Sequence, residues 1–445
     1  MMDRRAFIHH TAALGAAAAL PSFLQESAGT VRAAGAARAS AARVGSELRI
    51  GVIGCGGRGT GAAANALEAS PDARITAVGD LFEDRIASCL GHLGKLGSRA
   101  EVSPANRFVG FDAFHGVLAA PCDVVILATP PGFRPQHFAA AVDAGKHVFL
   151  EKPVAVDGTG IRAILAAAAR ADERRLAVVA GTQRRHETSY REAIERIRGG
   201  AIGDIVLARV FWNMGSLWHK QPDPARTDME NQVRNWLYHT WLSGDHIVEQ
   251  HVHNIDVANW ALDANPVGCV AVGGRQVRTD PVSFGNIFDH FAVDFEYPPA
   301  RDGAPRFVLS MARQQDGTAG RVEEVLRGTR GMARLSPGFA QISGETPWQF
   351  TGQDNNPYVQ EHVDLHGAIR SGTHVNEAWS VAHSTLAAIM GRTAAYTGAE
   401  VSWEQALNDS ADLFPRELKM GPLPQATVPM PGRPWPPAPS TPPSP

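Results

Sequence analysis

Apolar and polar positions along the chain fall into two regimes. Up to about residue 182, short and nearly continuous apolar runs alternate with segments of helical spacing. The runs are Leu48–Ile53, Ile75–Asp80, Asp123–Thr129, His147–Leu150 and Leu176–Ala180. Unbroken apolar strands of this kind belong to a parallel sheet buried on both faces. The stretches Phe133–Gly145 and Gly158–Arg174 repeat their apolar residues every three or four positions, and Gly145 suits a helix end. Together they predict a doubly wound α/β domain whose ligands lie beyond the carboxyl ends of its strands.

After Gly200 the period changes. Ile202–Trp212, Val267–Val272, Asp289–Tyr297 and Arg306–Ala312 alternate as antiparallel strands do, predicting an α+β domain with a mainly antiparallel open sheet. Met214–Tyr238 is rich in Trp, Pro, Asp, Asn and Arg without a clear period, and predicts a long ordered loop over a cleft. From His246 a single helix is expected, with Val248, Val252, Ile255 and Leu262 on an apolar stripe. His246, Glu249, His253 and Asp256 share another face. Glu377–Tyr396 reads as an apolar helix and Gly398–Leu407 as the closing element. From Gly421 the prolines predict an extended or disordered, solvated tail.

Composition narrows the partners. A net charge of −3 over 445 residues, with no long basic cluster, argues against nucleic acid. The four cysteines form no C-x-x-C pair, so neither a zinc ribbon nor a disulfide scaffold is indicated. Residues 1–40 read as a leader: Arg4-Arg5 precede Phe7 and a mild alanine-rich stretch from Thr11 to Leu20. They resemble a twin-arginine export signal, with small residues for cleavage at Ala34-Gly35-Ala36 or Ala37-Arg38-Ala39, and imply a periplasmic or extracellular protein. The apolar stretch is too short to span a membrane. The expected domains are thus 1–40, 46–182, 183–410 and a proline-rich tail at 421–445.

The candidate chemistry begins where the first apolar run breaks into Gly54-x-Gly56-x-x-Gly59. Such a turn lets backbone N–H groups approach a pyrophosphate at the start of a helix. Asp80 ends the next strand 21 residues after Gly59, where it can accept from adenosine ribose hydroxyls and disfavour a 2′-phosphate. The reading is a Rossmann-type domain binding NAD, with Gly54, Gly56, Arg58, Gly59 and Asp80 as cofactor residues. Thr129, Pro130, Glu151 and Lys152, at strand ends, lie beside the cofactor.

The glycine loop, Ala128-Thr-Pro-Pro131, Gly145–Pro153 with its Glu-Lys-Pro, and Gly181-Thr-Gln-Arg-Arg185 together resemble the Gfo/Idh/MocA oxidoreductases over about residues 46–410. The resemblance implies hydride transfer between bound NAD and a secondary alcohol of a sugar or glycoside. Lys152 would polarise the reacting hydroxyl. It also implies an acid four residues before a catalytic histidine, positions held by Glu249 and His253, though inositol dehydrogenases carry Asp at the first. His253 would take the hydroxyl proton, giving an ionisation near neutral pH, while Glu249 fixes its tautomer or contacts the sugar. Arg184, Trp212, Tyr238 and Trp241 are expected substrate contacts, since carbohydrate sites combine stacking rings with planar donors. No metal is assigned; the alternative readings of the His246, Glu249 and His253 face are a metal site or a structural network. The family's open sheet implies a homo-oligomer. The alternatives at the level of function are a redox-neutral glycosidase or lyase acting through a transient keto-sugar, and a non-catalytic NAD-binding sensor or assembly protein.

Overall fold

The computed structural model describes residues 47–436. The expected leader lies outside them, as do the last nine residues of the tail. Six strands, β1 (Leu48–Ile53), β2 (Ala73–Asp80), β3 (Arg107–Val109), β4 (Val124–Leu127), β5 (His147–Leu150) and β6 (Val178–Ala180), form a sheet in the order β3-β2-β1-β4-β5-β6. Every pairing is parallel. The central strands are apolar apart from Arg49 and His147 near their amino ends, because helices cover both faces. The order reverses at β1, so a crevice opens at the carboxyl ends of β1 and β4. The short edge strand β3, half-exposed, carried no apolar run and was not expected.

The second sheet contains β7 (Ile205–Met214), β8 (Gly268–Gly274), β9 (His290–Tyr297), β10 (Arg306–Gln314), β11 (Arg321–Gly328), β12 (Gly331–Ser336), β13 (Phe339–Gly344), β14 (Trp348–Gln349) and β15 (Val401–Ser402). Its order is β14-β13-β12-β11-β7-β10-β9-β8-β15. Its pairings are antiparallel except that β7 and β10 run parallel. One face, with Ala208, Val210, Val293, Phe295, Val308 and Ala312, is buried in one hydrophobic core with residues of the helices Val252–Leu262 and Ala378–Thr397. The other face leaves Val270 and Val272 at 51% and 71% exposure and Leu309 and Met311 at 40% and 43%.

Three expectations are corrected. The chain from His246 forms two helices, His246–Glu249 and Val252–Leu262, separated by Gln250 and His251. Met214–Tyr238 is not loop throughout, for it contains the helix Asp228–Arg234, begun by Thr227 accepting from the Glu230 N–H. The chain beyond 183 also returns to pack on the first domain. The helix Pro357–Ser371 buries Leu365 in the core of the first sheet, and Asn376 bridges to Val178 in parallel. Lastly, the proline-rich tail is not free in solvent as far as Pro436. Gly432 N–H donates to Thr397 O, and the Trp435 ring meets Tyr396 edge-on at 4.8 Å.

Candidate active site

The turn after β1 is built from glycines for steric reasons. Gly54 has φ +97°, and a Cβ there would lie 2.6 Å from the Thr129 amide nitrogen. A Cβ on Gly59 would collide with the carbonyl oxygen of Gly54, so the helix Gly57–Ala69 can sit this close to β1 only with glycine at that position. At Gly56 and Gly57, by contrast, a Cβ would enter open space. That space is a cradle at a helix N-terminus, and it opens on a cavity of about 470 Å³.

Asp80, Thr129, Pro130 and Arg58 line the same cavity. Asp80 accepts from the Cys55 N–H at 2.7 Å and the Phe82 N–H at 2.9 Å, so it braces the glycine turn while facing the cavity. Burial raises its pKa, opposed by those two N–H groups. Arg58 turns back to an ion pair with Glu151 and lies 3.3 Å from Glu361. Glu151 is therefore a buried brace for the loop arginine rather than a wall of the cavity. Behind Thr129, Arg134 donates to the carbonyls of Thr129 and Pro153, tying the ends of β4 and β5 together. Burial lowers its pKa to about 10, which leaves it a cation at neutral pH. His137, within reach of the Thr129 hydroxyl at 3.1 Å, is driven to about 3 by burial and stays neutral.

Lys152 follows β5 and crosses to the second domain. Its Nζ donates to the carbonyl oxygen of Glu249 at 2.6 Å and to Glu249 Oε1 at 3.2 Å. Glu249 thus orients Lys152, where the expectation was that it orients His253. His253 stacks on Trp212 with centroids 5.9 Å apart and planes 24° from parallel. Burial first, then the nearby charges of Lys152 and Arg184, hold its pKa well below the ordinary histidine value, so the ring is neutral. The expected ionisation near neutrality moves to the acid side.

Lys152, Glu249, His253 and Trp212 are brought together; the other expected substrate contacts are not. Arg184 is 2% exposed and paired at 2.5 Å with Glu324, whose remaining oxygen accepts from Tyr190. Burial lifts Glu324 to about 7. Arg184 supports the Trp212 ring from 5.8 Å instead of facing a substrate. Tyr238 is 1% exposed, and its hydroxyl lies 2.9 Å from Trp218 O and 3.1 Å from Leu217 O, so it fastens a loop. Trp241 donates to Gln232 Oε1 at 2.9 Å and packs edge-on to Phe133 and Phe414. Asp256 is engaged by Arg185 at 2.8 and 2.9 Å, and His246 packs 5.1 Å from Phe291. No group of three or more His, Cys, Asp or Glu side chains that could hold a metal is found among the described residues.

Residues not anticipated also shape the site. Gln250, in the break between the two helices, accepts from Gln314, which accepts from Arg278. Trp218, Lys220, Val233, Arg234 and Trp236 close the cavity from the second domain. The aperiodic, tryptophan-rich composition of 214–238 was the available signal for the latter group; nothing local marks Gln314 or Arg278.

Residues 48–180 match the family described as an oxidoreductase family with an NAD-binding Rossmann fold. Residues 190–334 match the GFO/IDH/MocA C-terminal domain. The chain is 28% identical over 229 residues to inositol 2-dehydrogenase 3 of Saccharopolyspora erythraea, covering 52% of this chain and 58% of that protein. It is 30% identical over 232 residues to an inositol 2-dehydrogenase of Cereibacter sphaeroides, covering 52% and 59%. The chain therefore spans less than two thirds of these relatives. Its fold is similar to that of the aldose-aldose oxidoreductase of Caulobacter crescentus, with TM-score 0.63, 19% identity and coverage of 80% of this chain and 99% of the other. It is also similar to scyllo-inositol dehydrogenase of Lactobacillus casei solved with NAD(H) and scyllo-inositol, with TM-score 0.60, 23% identity and coverage of 80% and 99%.

Proposed function

Because the chain belongs to the Gfo/Idh/MocA oxidoreductase family, we propose that it is an NAD-dependent oxidoreductase acting on a secondary alcohol of a sugar or glycoside. The observation that carries the reading is Lys152, held across the domains by both the carbonyl and the carboxylate of Glu249, four residues before His253 in the chain. NAD fits the first domain: the glycine turn leaves a cradle at Gly56 and Gly57, and Asp80 stands in the cavity for the ribose hydroxyls. When bound, NAD accepts the hydride from the reacting carbon. The residues do the rest. Lys152 donates to the substrate oxygen and stabilises the charge that develops on it. A ring nitrogen of His253, unprotonated at neutral pH, takes the hydroxyl proton. Glu249 sets the position of Lys152, and Trp212 fixes the plane of the His253 ring. The inositol 2-dehydrogenases among its relatives support a polyol-like substrate.

Two wider parts of the proposal rest on sequence and surface. Arg4-Arg5 and the alanine-rich stretch after them support twin-arginine export to the periplasm or beyond. The exposed apolar face of the second sheet supports a homo-oligomer. A second reading, a redox-neutral conversion through a transient keto-sugar, is favoured by the covering of the cofactor cavity by Trp218, Lys220 and Trp236. The experiment is incubation of the purified protein with NAD and a set of polyols and glycosides, followed by product analysis. Net oxidation with NADH formation supports the dehydrogenase, cleavage without NADH supports the second reading, and no change in any substrate contradicts both.

A further inference from the structure

The cavity beyond the glycine turn has two walls of different origin. The Rossmann side gives Asp80, Leu81, Phe82, Arg85 and Phe111, around the corner where the adenosine ribose belongs. The facing wall is Trp218, Lys220 and Trp236, from the segment that follows β7. Trp218 is 48% exposed, a large apolar ring left uncovered at the edge of this cavity. Lys220 lines the cavity without an ion-pair partner among the described residues, and its backbone N–H is held by Asn235 Oδ1 at 2.8 Å. An exposed ring and an uncommitted cation on one wall match a nucleobase and a phosphate-bearing ribose.

That wall is pinned from three sides. Arg234 makes a two-point ion pair with Asp84 of the first domain at 2.9 and 3.0 Å, its guanidinium 3.8 Å above the Phe82 ring. The Tyr238 hydroxyl holds the backbone of Leu217 and Trp218. The C-terminal chain then binds the outside of the helix Asp228–Arg234. Met229 N–H donates to Gly421 O at 3.2 Å, Gln232 Nε2 to Leu423 O at 2.9 Å, and Leu423 N–H to Asp228 Oδ2 at 3.2 Å.

We infer that Trp218, Lys220 and Trp236 contact the adenosine-diphosphate half of the cofactor, and that their segment, clamped by Asp84–Arg234 and backed by the C-terminal chain, slows its release. The inference rests on the NAD reading above and extends it to residues of the second domain. The test uses the full chain with two probes, ADP and NADH, followed by tryptophan and nicotinamide fluorescence. Trp218→Ala and Lys220→Ala should each weaken both probes by about tenfold, the scale of one stacking or charge contact, with unchanged thermal unfolding. Asp84→Ala removes the clamp without touching the cavity, and should speed NADH release while leaving the unfolding temperature near that of the parent. Parent-like affinity for both probes in Trp218→Ala and Lys220→Ala, or weakening of NADH but not ADP, overturns the inference and leaves the NAD reading intact. A parent protein that binds neither probe overturns both.

Discussion

Lys152 makes both of its contacts to one residue, the backbone oxygen and the carboxylate of Glu249, so its position depends on that residue more than on its own strand. Lys152→Ala should leave NADH affinity close to the parent's and lower turnover by about two to four orders of magnitude, the span of a positioned acid/base group. Titration with NADH beside steady-state kinetics checks this, and full activity in the variant would remove Lys152 from the chemistry. His253 sets the pH behaviour. Its folded-state pKa lies well below 6.5, so the base form fills the neutral range and the rate should fall only on the acid side. A pH profile of kcat/KM should be flat through neutrality, with an acid limb that His253→Asn abolishes; a break above pH 6.5 that depends on His253 would contradict it. Arg184 illustrates what residue type alone conceals. As an arginine next to a family motif it reads as a substrate contact, yet it neutralises Glu324 in the interior. Arg184→Met removes the only cation paired with that carboxylate among the described residues and leaves it the Tyr190 and Asn254 bonds, at a cost of up to about 3–5 kcal/mol in denaturant unfolding.

At the scale of elements, the parallel strands other than the edge strand β3 were legible because burial on both faces leaves few polar positions to confuse the period. The antiparallel strands β11, β12 and β13 were not, since β11 places the buried Glu324 on the same face as Leu326 and the apolar Val325 on the other, while β12 and β13 are only six residues each. The helix break at Gln250 and His251 was hidden for a different reason. The apolar stripe continues in register through Val248, Val252 and Ile255, and tertiary bonds such as His251 Nε2 to Ser310 Oγ at 2.7 Å accompany the change of direction. The helix Pro357–Ser371 has the least local signature of its partner, because it completes a sheet nearly two hundred residues upstream. Leu365→Ala should accordingly cost about 2–5 kcal/mol, as for a core leucine of the first domain, despite its place late in the chain. Urea unfolding decides it, and a cost below about 1 kcal/mol would show that this helix is not part of that core.

For the whole molecule, the open face of the second sheet leaves Val270, Val272, Leu309 and Met311 exposed. Val272, Ala292 and Met311 are cross-strand neighbours, as are Val270, Asp294 and Leu309. Exposed apolar side chains grouped in this way, with Asp294 among them, are the basis of the proposed homo-oligomer. Val272→Asp with Met311→Glu should convert the proposed homo-oligomer to monomers in sedimentation velocity without lowering the melting temperature of the monomer; an unchanged sedimentation coefficient would place the contact elsewhere. No helix among the described residues is long and apolar enough to cross a membrane. The sequence showed where two domains meet through Glu151-Lys152-Pro153 and Glu249–His253, because strand ends and family motifs mark them. It placed 214–238 over a cleft but did not show which of its residues form the wall of the cofactor cavity, because Trp218, Lys220 and Trp236 reach it only once the segment is folded against Asp84.

The central claim is that a hydride leaves a CH–OH carbon for NAD held between the two domains. The direct measurement mixes NAD-loaded protein with sugars deuterated at successive CH–OH carbons and reads the extracted nicotinamide by mass spectrometry after a single turnover. Deuterium should appear in the nicotinamide for one labelled carbon, and do so about two to four orders of magnitude more slowly in Lys152→Ala than in the parent. A substrate converted to product with no label ever entering the nucleotide would contradict the account.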